Sequence, residues 1–581
     1  MKSESTHPSK MRKHIPRILV ISILFTFLTF DSLLYAQHVV KTAEELVALL
    51  SENKDHGTIL LDGDLFHIAG VQVKCGAHIR PYPGRTPVLI GFHQHVKRNT
   101  RKVDEEDYWS VPIKSYGASQ IVFLDDNLDA IPYSCHINLQ DGYDVKANEI
   151  KIVKKGERLI GIPIRNGFDF LTNRDKSFFK NFSIKMGYWF VGITLSGLYS
   201  DAEYLYGSID NDYHLNLLSR RPNANVRLKF FNLPMPGDGI YLDGNDVLHV
   251  PAQYTEVRIC TTPPILTLKG NRELTFEKIT FTGANGEAIS VQGSNKHFRN
   301  CVFRNCGSCV VASGGKYTNC SVKCSTIENL YNNIAINLSN VNGAVVEGNI
   351  ICHTGTLMKG GSVVTVGGLN FKVKDNSISD YSYIAITASM SRDYKPGTMS
   401  GTISENVVDN AANWGKVENQ LTDGGGIYII THTDGVVIES NIIRNIGYDG
   451  GELWGIYLDD GAYNCTVRRN LVYNIWPGQF AATSRYVEEC DRSNMNNVFE
   501  HNIFLGPCKI AGNRKGYGNK TLIRGNYITG NLNTQGDEYV KLDGNKFISA
   551  MVGKDGRIVS EKGSRIKKRG FTRSIKKLIK R

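Results

Sequence analysis

Residues 436–443 read VVIESNII and residues 466–472 read TVRRNLV. The same arrangement recurs at 345–351 (VVEGNII), 372–378 (KVKDNSI), 402–408 (TISENVV), 498–504 (VFEHNIF) and 522–528 (LIRGNYI). Each stretch alternates aliphatic residues, passes through polar positions to an Asn, and returns to aliphatic residues. The Asn positions are 349, 376, 406, 441, 470, 502 and 526, with Asn300 and Asn319 read as earlier members, so successive Asn residues stand 19 to 35 residues apart. A period in this range with variable insertions marks a solenoid. Around each Asn the Val, Ile and Phe residues follow period two, so the repeating unit is made of short strands.

Short strands between turns also build sandwiches and barrels, but neither needs one residue type at the same place in every unit. In a parallel β-helix, coils stack at about 4.8 Å and equivalent residues stand above one another. An Asn at the bend between two sheets can then hydrogen-bond the Asn of the next coil and satisfy backbone groups of the turn. The fold expected is all-β, a right-handed parallel β-helix (a pectate-lyase-like solenoid) with an inserted β-rich domain.

Working outward, the solenoid is expected to run from 256 to 530. Residues 37–90 supply an N-terminal cap and the first turns, with Ala43–Leu50 as a short amphipathic helix covering the open end. Residues 91–255 lack the repeat, are rich in Tyr, Phe and Leu, and read as the inserted domain. Residues 531–581 form a C-terminal extension ending in a basic tail, KGSRIKKRGFTRSIKKLIKR from Lys562. The tail is either a solvated charged end or a contact for anionic lipid or glycan.

Residues 1–36 have the form of a signal peptide: Lys2, Lys10, Arg12, Lys13 and Arg17, an apolar run from Ile18 to Phe30, and a cut after Ala36. The run is short for a bilayer span, though an uncleaved anchor is the alternative. The mature chain is therefore expected to be secreted or periplasmic, with no integral membrane domain. Of the net charge of +12, residues 1–36 contribute +3 and residues 562–581 contribute +10, which leaves −1 for residues 37–561. Net charge thus argues neither for a strongly anionic partner nor for nucleic acid, and no nucleic-acid partner is expected. Twelve Cys are present without paired CxxC spacings, so no metal site is expected. The cluster from Cys301 to Cys352 reads first as a stack of small buried residues, with a disulfide as the alternative. The oligomeric state is open.

Two coils carry the chemistry. Residues 423–430 read DGGGIYII and residues 452–460 read ELWGIYLDD, and the shared Gly-Ile-Tyr elements are 29 residues apart, as are Asn441 and Asn470. Alternation directs Ile427, Ile429, Ile456 and Leu458 inward, with Tyr428 and Tyr457 stacked on the outer face, where aromatic rings suit the apolar faces of sugars. The same offset of 29 aligns Asp423 with Glu452 at the strand entrance. One coil rise, about 5 Å, approaches the carboxylate separation of a retaining glycosidase. Asp459 and Asp460 lie at the other strand end, near His432 and Asp434. Asp423 and Asp459 would be roughly 23 Å apart on a fully extended path unless the Gly run bends it. Any one of these acids could instead merely satisfy turn backbone. Substrate-binding candidates are Tyr428, Tyr457, His432, Trp454, Arg392 and Arg485. Lys359, Asp393, Tyr394, Trp414 and Tyr486 lie nearby in long connections of the kind that build clefts.

With DGGGIY, WGIYLDDGA and the Asn repeat in hand, the chain resembles parallel β-helix carbohydrate-active enzymes, most closely the glycoside hydrolase family 141 group. The stretch PYPGRTPVLIG resembles an early turn of that group. The resemblance implies hydrolysis of a glycosidic bond by two acidic residues, which fall here on Asp423 and Asp459, whereas the register favours Asp423 with Glu452. The order of candidates is Asp423, Asp459, Glu452, Asp460. The expected function is a cofactor-free glycoside hydrolase acting on a polysaccharide or oligosaccharide. The alternatives are a polysaccharide lyase, with Ca²⁺ assisting β-elimination, and a non-catalytic glycan-binding β-helix.

Overall fold

The structure is a computed structural model that describes residues 37–91, 94–98, 108–112, 122–131, 160–163, 204–207, 241–242, 247–260, 264–284, 286–358, 361–389, 399–411, 422–430, 433–447, 452–459, 462–482, 496–510, 521–534, 540–547, 550–552 and 558–560. The expected signal peptide and basic tail lie outside the described residues. The chain forms a parallel β-helix with three long sheets of 14, 13 and 12 strands. One coil shows the plan: Thr433–Glu439 belongs to the first sheet, Ile442–Ile446 to the second and Glu452–Leu458 to the third. Each strand pairs in parallel with its counterpart one coil on, and over Ile427–Ile429 against Ile456–Leu458 the offset is the 29 residues read from the sequence.

Alternation explains the core. Ile403, Ile438, Val467 and Phe499 occupy one inward row of the first sheet, and Ile443, Val472 and Phe504 one of the second. Inward Phe residues stack in register, with Phe276 and Phe298 centroids 5.5 Å apart and Phe281 and Phe303 4.9 Å apart. Outward on the first sheet, charges of opposite sign face one another between coils, as in Lys372–Glu347 at 2.9 Å and Arg468–Glu439 at 2.8 Å.

The corner between the first and second sheets takes two residues. Its first adopts a left-handed conformation, as Glu405, Ser440, Arg469 and His501 do at φ of 58–59°. That conformation is unfavourable for a residue with a Cβ by about 1 kcal/mol or more. The second residue offsets it. From Asn349 to Asn526, each of seven Asn residues donates its backbone N–H and Nδ2 to the Oδ1 of the next, at 2.8–3.1 Å, and the ladder ends on Asn545. Each Nδ2 also donates to a carbonyl of the preceding coil, for example Asn441 to Ile403.

Asn300 and Asn319 are not rungs. Asn300 is the left-handed residue one place earlier, and the rung is Cys301, followed by Ser325. Asn319 is also left-handed but sits at the entry to the first sheet, where it donates to Asn295. Asn tolerates this conformation better than other residues with a Cβ, so it recurs at corners for two different reasons. The Cys301 thiol donates to the Phe276 carbonyl as an Asn amide would. Cys301, Cys306, Cys309 and Cys320 are buried free thiols, and burial pushes Cys301 and Cys306 up to about 12.

The strand Gln37–Val40 and the helix Ala43–Ser51 close the N-terminal end, the helix starting at a capping box formed by Thr42 and Glu45. The described strands of the insertion pair antiparallel. Glu256–Cys260 pairs with Gln94–Lys97 and Val122–Leu124, so this strand belongs with the insertion, and the coils resume at Leu266–Lys269. At the other end they continue past 530, through Leu532–Thr534 and Val540–Asp543 to Lys546–Phe547. Trp109, Phe123 and Leu248 pack with Ile90 and Tyr331 to join the insertion to the second sheet. Among the described residues no helix is long and apolar enough to cross a membrane.

Candidate functional site

The outer face of the third sheet carries the two coils singled out above. One outward row runs Thr365, Thr387, Tyr428, Tyr457, Ala481, Lys509 and Asn533, one residue per coil. Ile427, Ile429, Ile456 and Leu458 point inward to the core as alternation requires. Tyr428 and Tyr457 stack outward, with ring centroids 5.0 Å apart and planes tilted by 45°. Their place on the outer face does not leave them open: they are 9% and 6% exposed, because Tyr383, Ile384, Ile430 and Trp454 pack around them.

The Gly run does not bend the strand. Thr422–Ile429 remains one strand, with a register shift between Thr422 and Gly424 that leaves Asp423 as the extra residue. Gly424 instead makes room for an aromatic ring, since a Cβ there would lie 2.6 Å from Cε2 of Tyr383. Gly478 does the same for the next platform. It is the register partner of Trp454, and a Cβ would lie 2.4 Å from Cζ3 of the indole. Trp454 thus lies across the strand of the following coil, 6.4 Å from Tyr457 between centroids, with Lys509 Nζ 6.0 Å from its ring centroid.

Asp459 is the first residue beyond Glu452–Leu458. Its backbone N–H donates to the Ile429 carbonyl, which fixes it one coil above Ile430. The Tyr428 hydroxyl reaches across the coil and donates to Asp459 Oδ2 at 2.6 Å, and Asp459 is 8% exposed. A charge-assisted bond this short, in a buried site, is among the stronger polar contacts available to a protein.

The backbone separates the expected acids into two groups. Asp423 and Glu452 lie where the chain enters the third sheet, and Asp459 where it leaves. Six or seven strand steps at ~3.3 Å put the two groups roughly 20 Å apart. The alignment of Asp423 with Glu452 also shifts, because Thr422 is the residue opposite Glu452. The bulge adds one residue that a uniform offset of 29 does not count.

Several other expected residues belong, by sequence, to the connections that follow the third sheet. The chain leaves the third sheet after Ala388, Ile429, Leu458 and Ala482, and returns to the first at Met399, Thr433, Thr466 and Val498. Arg392, His432, Asp460 and Arg485 fall on these four connections and lie outside the described residues, as do Lys359, Asp393, Tyr394, Trp414 and Tyr486. Sequence reasoning missed Tyr383, Gly478 and Lys509. Register from Asn441 and Asn470 fixes one coil pair, and finding Lys509 requires the offsets of two further coils, whose connections vary in length. Among the described residues no group of three His, Cys, Asp or Glu side chains is placed to hold a metal ion.

No family model matches the sequence, and no curated protein matches it. Among solved structures, the chain is similar to one titled "Glycoside hydrolase", with a TM-score of 0.42 and 12% identity over 84% of this chain and 89% of that one. It is also similar to "The complex structure of XylC with xylose", with a TM-score of 0.36 and 11% identity over 86% and 70%. A third is "Crystal structure of the tailspike protein gp49 from Pseudomonas phage LKA1", with a TM-score of 0.20 and 10% identity over 88% and 78%. Likenesses at these scores do not extend to function.

Proposed function

We propose that the chain is a glycoside hydrolase that binds a polysaccharide or oligosaccharide against the outer face of the third sheet and uses Asp459 as a catalytic carboxylate. The observation that carries this reading is the buried Asp459 carboxylate, oriented by the Tyr428 hydroxyl at the end of an aromatic face. Beside it the Trp454 indole, which is only partly buried, offers a ring for the apolar side of a sugar. The paired motif and its resemblance to glycoside hydrolase family 141 support the same reaction class.

In this reading a second carboxyl group protonates the leaving oxygen. Asp459 either attacks the anomeric carbon or takes a proton from the attacking water, and the separation of the two groups decides between these outcomes. Asp460 adjoins Asp459 at the exit corner and ranks first as the second carboxyl. Asp423 and Glu452 belong to the strand entrance, roughly 20 Å away along the strand, and take no part in the cleavage step. Trp454 positions the substrate, backed by the buried Tyr457 ring, with His432, Arg392 and Arg485 contributing from the exit connections. The reaction takes place outside the cytoplasm, after residues 1–36 are removed.

The test is a glycan panel in which new reducing ends and the ultraviolet absorbance of unsaturated uronates are read together. Reducing ends without absorbance are expected, with Asp459→Asn lowering the rate by about 10²–10⁴-fold. Absorbance with reducing ends would replace hydrolysis by β-elimination. Binding without cleavage on every glycan would leave a non-catalytic β-helix.

A further inference from the structure

The outward row of the third sheet runs for ten coils from Ser290 to Asn533 and contains one charged residue, Lys509. Lys509 is half-buried, and its ammonium lies over the Trp454 indole. No carboxylate of the described residues pairs with it, although most other cations facing out from neighbouring coils are paired, as Arg444 is with Asp409 and Arg524 with Glu500. A cation placed on the outer face without an anion, and partly desolvated by an indole, gains most from an anion that arrives from outside.

Its place along the face defines what would arrive. Tyr457, Ala481 and Lys509 are consecutive in register, so Lys509 stands two coils, about 10 Å, above Tyr457. The position between them carries only the small residue Ala481, and Trp454 flanks it, lying over Gly478. An aromatic platform with a cation at its edge suits a sugar that has one apolar ring face and an acidic substituent. We infer that Trp454 and Lys509 form a subsite for an anionic sugar, with the indole supporting the ring and the ammonium binding a carboxylate or sulfate group. This deepens the reading of the third sheet as a glycan-binding face and is independent of which residues cleave the bond.

The test measures binding by the full chain, using Asp459→Asn to prevent turnover. Uronic-acid oligosaccharides are compared with their carboxyl-reduced counterparts, and sulfated oligosaccharides with their desulfated counterparts. One acidic form is expected to bind about tenfold or more tightly than its neutral partner, the scale of one charge-assisted bond. The series that shows the preference tells carboxylate from sulfate. Lys509→Ala should abolish the preference while leaving affinity for the neutral form unchanged, and Lys509→Arg should keep most of it. Trp454→Ala should weaken both forms. Equal affinity for both forms, no binding of either, or a preference that survives Lys509→Ala would overturn the assignment. Loss of the preference in Lys509→Ala alongside full cleavage by Asp459→Asn would instead sustain the subsite and remove Asp459 from the reaction.

Discussion

Tyr428 and Asp459 belong to successive coils, and the phenolic hydroxyl of the first donates to Oδ2 of the second at 2.6 Å. Both residues are less than one-tenth exposed. Tyr428→Phe keeps the ring stack on Tyr457 but removes the donor. A hydrogen bond to a charged group contributes about 1.5–3 kcal/mol, so kcat/KM should fall by roughly 10- to 100-fold. The measurement is steady-state kinetics together with a thermal melt. A change in Tm alone, with kinetics intact, would mean that the hydroxyl stabilises the coil and does not position the carboxylate.

The Asn ladder makes a second, purely structural prediction. Asn441→Ala removes the acceptor of Asn406 N–H and Nδ2, and also the donor to the Ile403 carbonyl. All of these groups are buried in the corner. Leaving them unpaired should cost about 3 kcal/mol, measured by denaturant unfolding. Asn474→Ala, which breaks an exposed Asn474–Asn445 contact, should cost less than about 1 kcal/mol. The double variant Asn441→Ala/Asn470→Ala should cost less than the sum of its parts, because the two residues share one bond network. A cost at Asn441 no larger than at Asn474 would mean that the ladder contributes little.

The fold was legible because one residue type recurs where the chain must turn and where coil stacking brings copies together. The 29-residue offset at Gly-Ile-Tyr was enough to place Tyr428 over Tyr457 and to send Ile427 and Ile456 inward. It was not enough for Asp423, because a one-residue bulge breaks a uniform offset and leaves no mark in composition. Asn300 misled for a related reason: the left-handed corner position and the rung are adjacent, both suit Asn, and in this coil the rung is Cys301. The Gly run of DGGG can be read as freedom to bend, but what its first member, Gly424, supplies is clearance for Tyr383, a residue of the preceding coil. Contacts between coils of unequal length are the part that periodicity does not reach.

Gly478 has the same kind of role for Trp454. In Gly478→Ala the new methyl group would meet the indole at 2.4 Å and the Pro507 carbonyl at 2.9 Å. The indole has to move, so glycan affinity should fall about as far as in Trp454→Ala, with a stability loss of about 1–3 kcal/mol. Placed in the Trp454→Ala background, the same substitution should have little further effect on affinity. Affinity unchanged in Gly478→Ala would show that the indole does not need to lie across that strand.

Lys296 offers a prediction that depends on pH. It points into the solenoid at 1% exposure, in register with Leu274 below and Cys320 above, and its Nζ donates to the Arg272 carbonyl at 2.6 Å. Burial pushes its pKa down to about 8. The unfolded chain then binds this proton more readily than the folded one. Below about pH 8 both states are protonated and the folded state bears the full cost of a buried ammonium, on the order of 3 kcal/mol. Between pH 8 and the ordinary lysine value the folded amine is neutral, and stability rises with pH. Lys296→Met should therefore raise stability most near pH 7, and the gain should shrink as pH rises through that window. Denaturant unfolding of both proteins from pH 7 to pH 10.5 tests this. A gain that stays constant across that range would trace the effect to packing and not to the proton.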